Sequence, residues 1–202
     1  MAGVAVALAL LLAGCGTDQP TGPVISAPDN AGYHGTYLGE KPFPVADVPL
    51  TGTDGKPYSV ATAPAPLKVV FFGYTKCPDV CQIVMSTVAQ ALTKLDKADR
   101  KKVEIVFVTT DPARDTEKVL RTYLDRFGDG LVGLTGSMAD IVRLGDSFKV
   151  SIQDGQKLPS GGYEVDHSTY TYGVVGDGAE VIWNTTTSPA EMSADLTKLL
   201  QS

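Results

Sequence analysis

The sequence predicts an α/β fold, a central sheet of parallel and antiparallel strands flanked by helices. Three observations carry this. Leu67 to Phe72 and Val103 to Thr110 are continuous apolar runs, the pattern of strands covered on both faces. Between them Val84, Val88, Ala91, Leu92 and Leu95 recur at i, i+4, i+7, i+8 and i+11, one helical stripe facing a sheet. Near the end, Ser168 to Val175 and Ala179 to Trp183 flank Gly176-Asp177-Gly178 as a hairpin.

Taken in order, the chain opens on Met1-Ala2-Gly3, an apolar run from Val4 to Leu12, and Leu12-Ala13-Gly14-Cys15. This resembles a lipoprotein signal, which implies removal of residues 1–14 and a lipid on Cys15. The run is too short to span a bilayer as a helix. Residues 15–39 are poor in apolar side chains and carry three Pro and several Gly, so they read as a tether reaching about 25–30 Å. His34 falls in that stretch and reads as a solvated linker residue.

Residues 40–202 form the predicted domain. Phe43 to Asp47 and Lys56 to Val60 flank a Thr53-Asp54-Gly55 turn, an added N-terminal hairpin. The first buried strand then runs into a cysteine turn and the first helix. After the second strand, Thr116 to Phe127 reads as a helix with Asp115 as its N-cap. Ser137 to Lys149 is a third, with Ile141, Leu144 and Phe148 at helical spacing, and Pro189 to Leu200 a last one. Ser151 to Asp166, with Gly155, Pro159, Gly161 and Gly162, reads as a long loop. A β-α-β order implies parallel strands, and the sum resembles a thioredoxin-like fold.

Composition excludes one class of function. A formal net charge of −6 and a pI near 4.8, with no block of Lys or Arg, argue against a nucleic-acid surface. The cysteine count points to another. With Cys15 assigned to lipid, Cys77 and Cys81 remain as a matched pair in an oxidising compartment. A domain of this size folds without a staple, and closing so short a loop gains little entropy.

Cys77 and Cys81 lie four residues apart where the first strand meets the helix. Residues i and i+4 stack on a helix face, so the sulfurs can close a disulfide or jointly grip one soft metal ion. Pro78 suits a first helical position, making Cys77 the expected N-cap and putting both thiols in a field that favours thiolate. His167 is the one imidazole outside the tether. Two thiolates and an imidazole suit Cu(I) and can hold Cu(II), although a lone His at a strand start is commonly a structural hydrogen bonder. Met85, one helical turn beyond Cys81, reads as core or helix surface.

Three stretches carry a resemblance to a known family: Phe72-Gly73-Tyr74-Thr75-Lys76-Cys77-Pro78-Asp79-Val80-Cys81, Val108-Thr109-Thr110-Asp111-Pro112-Ala113-Arg114-Asp115-Thr116, and Val165-Asp166-His167-Ser168. In this order they resemble the Sco/SenC copper-binding proteins of cytochrome c oxidase assembly, over roughly residues 42–200. The resemblance implies a thioredoxin-like domain with Cys77, Cys81 and His167 as ligands of one copper. Gln82 stands where the family often has Pro, a change in local rigidity rather than in ligation. Asp111, at the end of the neighbouring strand, is a candidate to tune the thiols.

The function implied is a membrane-tethered copper chaperone, lipid-anchored on the extracytoplasmic face of a bacterial cytoplasmic membrane. It would act as a monomer and deliver copper to the dinuclear centre of cytochrome c oxidase subunit II or a similar cuproprotein. The alternative is a thiol–disulfide oxidoreductase in which Cys77 and Cys81 reduce that partner's copper-ligating cysteines.

Overall fold

The computed structural model describes residues 30–157, 163–167 and 169–202, with the backbone alone over 153–157 and 163–167. The lipoprotein signal, Cys15 and most of the expected tether lie outside the described residues.

In chain order the elements are β1 (Thr36–Tyr37), β2 (Phe43–Pro44), β3 (Leu50–Gly52), β4 (Pro57–Tyr58), β5 (Leu67–Gly73), α1 (Val80–Lys94), α2 (Lys97–Arg100) and β6 (Val103–Thr109). There follow α3 (Glu117–Leu124), β7 (Val132–Thr135), α4 (Met138–Ser147), β8 (Ile152–Lys157), β9 (Tyr163–His167), β10 (Thr171–Val175), β11 (Gly178–Trp183) and α5 (Pro189–Leu199). The main sheet runs β1-β11-β10-β5-β6-β7-β3-β4, with β2 also on β11, while β8 and β9 pair separately. Strands β5, β6 and β7 are parallel, and β10, β11 and β3 join antiparallel.

The apolar run of β5 is explained by burial on both faces. Leu67, Val69 and Phe71 face one core, with Ile105 and Phe107 of β6 and the buried sides of α1, α3 and α5. Val70 and Phe72 face the other, with Val106, Val108, Leu134, Tyr172 and the Ile141, Leu144 and Phe148 stripe at α4. The alternation is the two-residue period of a strand. Two cores back to back make this a three-layer arrangement, the thioredoxin-like architecture expected.

Four expectations are corrected. The first arm of the N-terminal hairpin is Leu50–Gly52, paired to β4, whereas Phe43–Pro44 crosses to β11. Its turn rests on Gly55 at φ 77°, and Lys56 N–H donates to the Asp54 carboxylate at 3.1 Å. The long loop after α4 contains a ladder, β8–β9, whose first strand is polar beyond Ile152 and whose second has only Tyr163 and Val165 to mark it. Asp115 does not cap α3; Thr116 does, accepting from Val119 N–H. Finally, residues 30–39 are not tether: Thr36 and Tyr37 pair with Ile182 and Val181, and Tyr33 is buried.

The reason for that last correction is Asp195, a carboxylate on α5 that is 1% exposed. It accepts from His34 N at 2.9 Å, Gly35 N at 2.8 Å and Trp183 Nε1 at 2.7 Å, and meets His34 Nδ1 at 3.0 Å. A buried charge requires such partners, so the segment around His34 is drawn onto the domain. Among the described residues no helix is long and apolar enough to cross a membrane.

Candidate metal centre

Strand β5 ends at Gly73, and the chain turns with Cys77 N–H donating to Tyr74 O at 3.2 Å before α1 begins at Val80. The expected cap at Cys77 is corrected: Asp79 is the N-cap, its carboxylate accepting from Val80 N–H. A carboxylate satisfies an orphan first-turn donor better than a thiol does. The Cys77 sulfur still serves the helix start, because Cys81 N–H donates to its Sγ at 3.4 Å. Both cysteines are buried.

The close seating of the sulfurs depends on a glycine. A Cβ on Gly73 would lie 3.0 Å from Cys81 Sγ and 2.8 Å from the Phe71 ring, so the thiol packs on bare backbone. Next to it, Gly73 O accepts from Thr110 N at 2.7 Å, tying the end of β5 to the end of β6.

Asp115 ties the cysteine turn to the same place. Wholly buried, its carboxylate accepts from Thr75 N at 2.9 Å, Thr75 Oγ1 at 2.6 Å and Thr109 Oγ1 at 2.8 Å. Reading Asp115 as a cap missed this clamp, although the Thr109-Thr110-Asp111 and Asp115 spacing offered a signal. Asp111 is buried at the end of β6 and ion-paired with Arg114, whose guanidinium lies 5.9 Å from the Tyr74 ring centroid. Its carboxylate therefore reaches the cysteine turn through Arg114 and Tyr74. Met85 is core, as expected.

The expected thiolate poise of both cysteines is corrected for Cys81. A hydrogen bond with the Cys77 side chain and burial push the Cys81 thiol up, outweighing a backbone hydrogen bond at Tyr74 that pulls it down. Close by, the Phe107 ring meets the Tyr123 ring at a tilt, their centroids 5.5 Å apart. Burial, then the electrostatic influence of the neighbouring Cys81, push the Tyr123 phenol up.

His167 ends β9, with its backbone in register with Ile152. Ile152 is packed against the core, where it meets Gly145 of α4. Thr171, which opens β10, is in register with Phe71 of antiparallel β5. The chain around His167 thus joins the sheet at the end where the cysteine turn leaves it. The side chain of His167 lies outside the described residues, and among those described no three His, Cys, Asp or Glu side chains converge on one point.

Two buried thiols one hydrogen bond apart, at the carboxyl end of a central parallel strand, can exchange as a dithiol or hold a soft cation. The fold and site define a thioredoxin-like protein with a buried cysteine pair at the end of its central strand. The SCO1/SenC family model matches residues 41–201, and the chain belongs to that family.

Among solved structures, apo Sco1 from Thermus thermophilus is 31% identical with a TM-score of 0.73, covering 83% of this chain and 96% of its own. ScoI from Bradyrhizobium japonicum with copper bound is 32% identical with a TM-score of 0.64, covering 77% and 98%. Protein SCO2, mitochondrial, of Saccharomyces cerevisiae is 32% identical over 130 residues, 64% of this chain and 43% of that one. The chain spans about half the length of the curated relatives it matches.

Proposed function

We propose that this chain is a copper carrier that binds one copper through Cys77, Cys81 and His167 and hands it to the dinuclear copper centre of cytochrome c oxidase subunit II or a similar cuproprotein. The observation that carries this is the cysteine pair itself, buried at the end of β5 on a turn that Asp115 clamps through Thr75. Support comes from the backbone of His167 entering the sheet at that same end, and from a family relative solved with copper bound. The sulfurs supply a soft, pre-formed edge of the site. The imidazole comes from a separate ladder, so a partner's thiolates can displace it first and the helix pair afterwards.

In this reading residues 1–14 are a signal and Cys15 carries a lipid on the extracytoplasmic face of a bacterial membrane. The chain acts there as a monomer. The test is titration of Cu(I) into the reduced domain against a coloured chelator. One copper per chain is expected, with His167→Ala losing at least about tenfold in affinity and Cys77→Ser or Cys81→Ser losing it altogether. Equal affinities for wild type and His167→Ala would sink the ligand assignment.

A second reading has its own observation: Cys77 is the less deeply buried thiol, and its sulfur accepts an amide hydrogen bond. As a thiolate, Cys77 would attack a disulfide of the copper-accepting partner and release one partner thiolate. Cys81 would then attack the mixed disulfide, leaving Cys77–Cys81 oxidised and the partner a dithiol, a transfer of two electrons and two protons overall. Trapping a mixed disulfide with Cys81→Ser supports it; failure to reduce that partner counts against it.

A further inference from the structure

Beside the cysteine turn lies an open cavity of about 420 Å³ lined by Thr75, Lys118, Val119, Thr122, Tyr123 and Arg126. Thr75 belongs to the cysteine turn and the rest come from α3 and the residue just after its cap. Tyr123 is 3% exposed, yet its hydroxyl has no hydrogen-bond partner among the described residues. A buried phenol left so costs free energy unless something arrives to meet it.

The rim is cationic in an otherwise acidic protein of formal net charge −6. None of the ion pairs among the described residues includes Lys118 or Arg126. Arg126 is held in place, its Nε donating to Tyr123 O at 3.2 Å and its guanidinium 4.6 Å from the Tyr123 ring centroid. That leaves its terminal nitrogens and the Lys118 ammonium as donors around one hollow. The hydroxyls of Thr75 and Thr122 already donate, to Asp115 and to Lys118 O.

We infer that this cavity receives a carboxylate side chain from an acidic segment of the protein that exchanges with Cys77 and Cys81, an inference resting on the proposed function for that partner's identity. Lys118 and Arg126 draw the acidic segment in, which chiefly raises the rate of encounter. Because Thr75 forms both the cavity wall and the cysteine turn, docking sets the partner's reacting loop against the thiols. The site recognises charge, whereas the cysteines do the chemistry.

Two measurements test this. In the first, an oligoglutamate peptide is titrated into the isotope-labelled domain and amide shifts are followed by NMR. Shifts centred on Thr75, Lys118 and Thr122 are expected, abolished in Lys118→Glu/Arg126→Glu. Absent shifts, or shifts that survive charge reversal, overturn the inference whatever the protein's function. In the second, copper transfer to the apo copper domain of oxidase subunit II is timed at low and high salt. The charge-reversed variant should bind Cu(I) as wild type does but transfer it about tenfold more slowly at low salt, the difference shrinking at high salt. Transfer by wild type and variant at equal rates overturns the docking site and spares the carrier function. Wild type that transfers nothing, with the peptide shifts intact, overturns the carrier function and spares the site.

Discussion

Asp115 does at the scale of one residue what the cysteine pair cannot do for itself. Its carboxylate holds Thr75 by backbone and hydroxyl, and Thr109 from the adjoining strand, in a place without water. Asp115→Ala leaves those donors unmet, and a loss of about 2–4 kcal/mol in urea unfolding is expected. Copper should also dissociate faster from that variant, because the turn carrying Cys77 is freed. Gly73→Ala tests the other support. Its methyl would press on Cys81 Sγ and Phe71, and a destabilisation of about 1–3 kcal/mol is expected, with weaker copper binding.

The cysteines were legible in the sequence because their spacing is a local fact and the turn between strand and helix is punctuated by Pro78. Asp115 and Tyr123 were not. Their roles come from partners across the fold, Thr75 for one and the cysteine pair for the other, which periodicity along a single element does not reveal.

At the scale of elements, strongly patterned segments were read well. The stripe of α1 buries Cys81, Val84, Val88 and Ala91 as expected, and adds Met85 to the same face. Helix α4 starts with Ser137 as its cap, and α5 with Ser188. The elements missed are short or polar. β7 has four residues, α2 has four, and β1 has two, too few for a period to emerge.

Helix α5 carries a reciprocal cap in which Glu191 N donates to Ser188 Oγ at 3.3 Å and Ser188 N donates to Glu191 Oε2 at 2.8 Å. Ser188→Ala should lower stability by about 1 kcal/mol in denaturant unfolding. The backbone hydrogen bond at Ser188 holds the Glu191 carboxyl below its ordinary value. A lowered folded-state pKa means stabilisation that is present above the unfolded value of 4.5 and is lost as pH falls through the folded one. The stability gap between wild type and Glu191→Gln should therefore be open at neutral pH and close in acid, as thermal melts at both would register.

For the molecule as a whole, the segment around His34 determines where the domain begins. A chain starting at residue 40 loses the His34 and Gly35 donors and leaves Asp195 with the Trp183 indole. Compared with a chain starting at residue 28, a fall of about 3 kcal/mol or more in unfolding free energy is expected. Equal stability would show that the segment is not integral. Its two ends were hard to read from sequence because the contacts span 160 residues and more.

The same segment has a second effect on how molecules meet one another. β1 and β2 lie along the outer side of β11, from Gly178 to Ile182, with Leu38 N and Val45 N donating to Glu180 O and Asp177 O at 2.8 Å each. They occupy the ladder positions onto which a foreign strand would otherwise zip. At the opposite border, β4 is two residues long and one of them is Pro57, which has no N–H to offer. The sheet is thus sealed on one margin and blunted on the other. Many copies can crowd together with their backbones closed to one another.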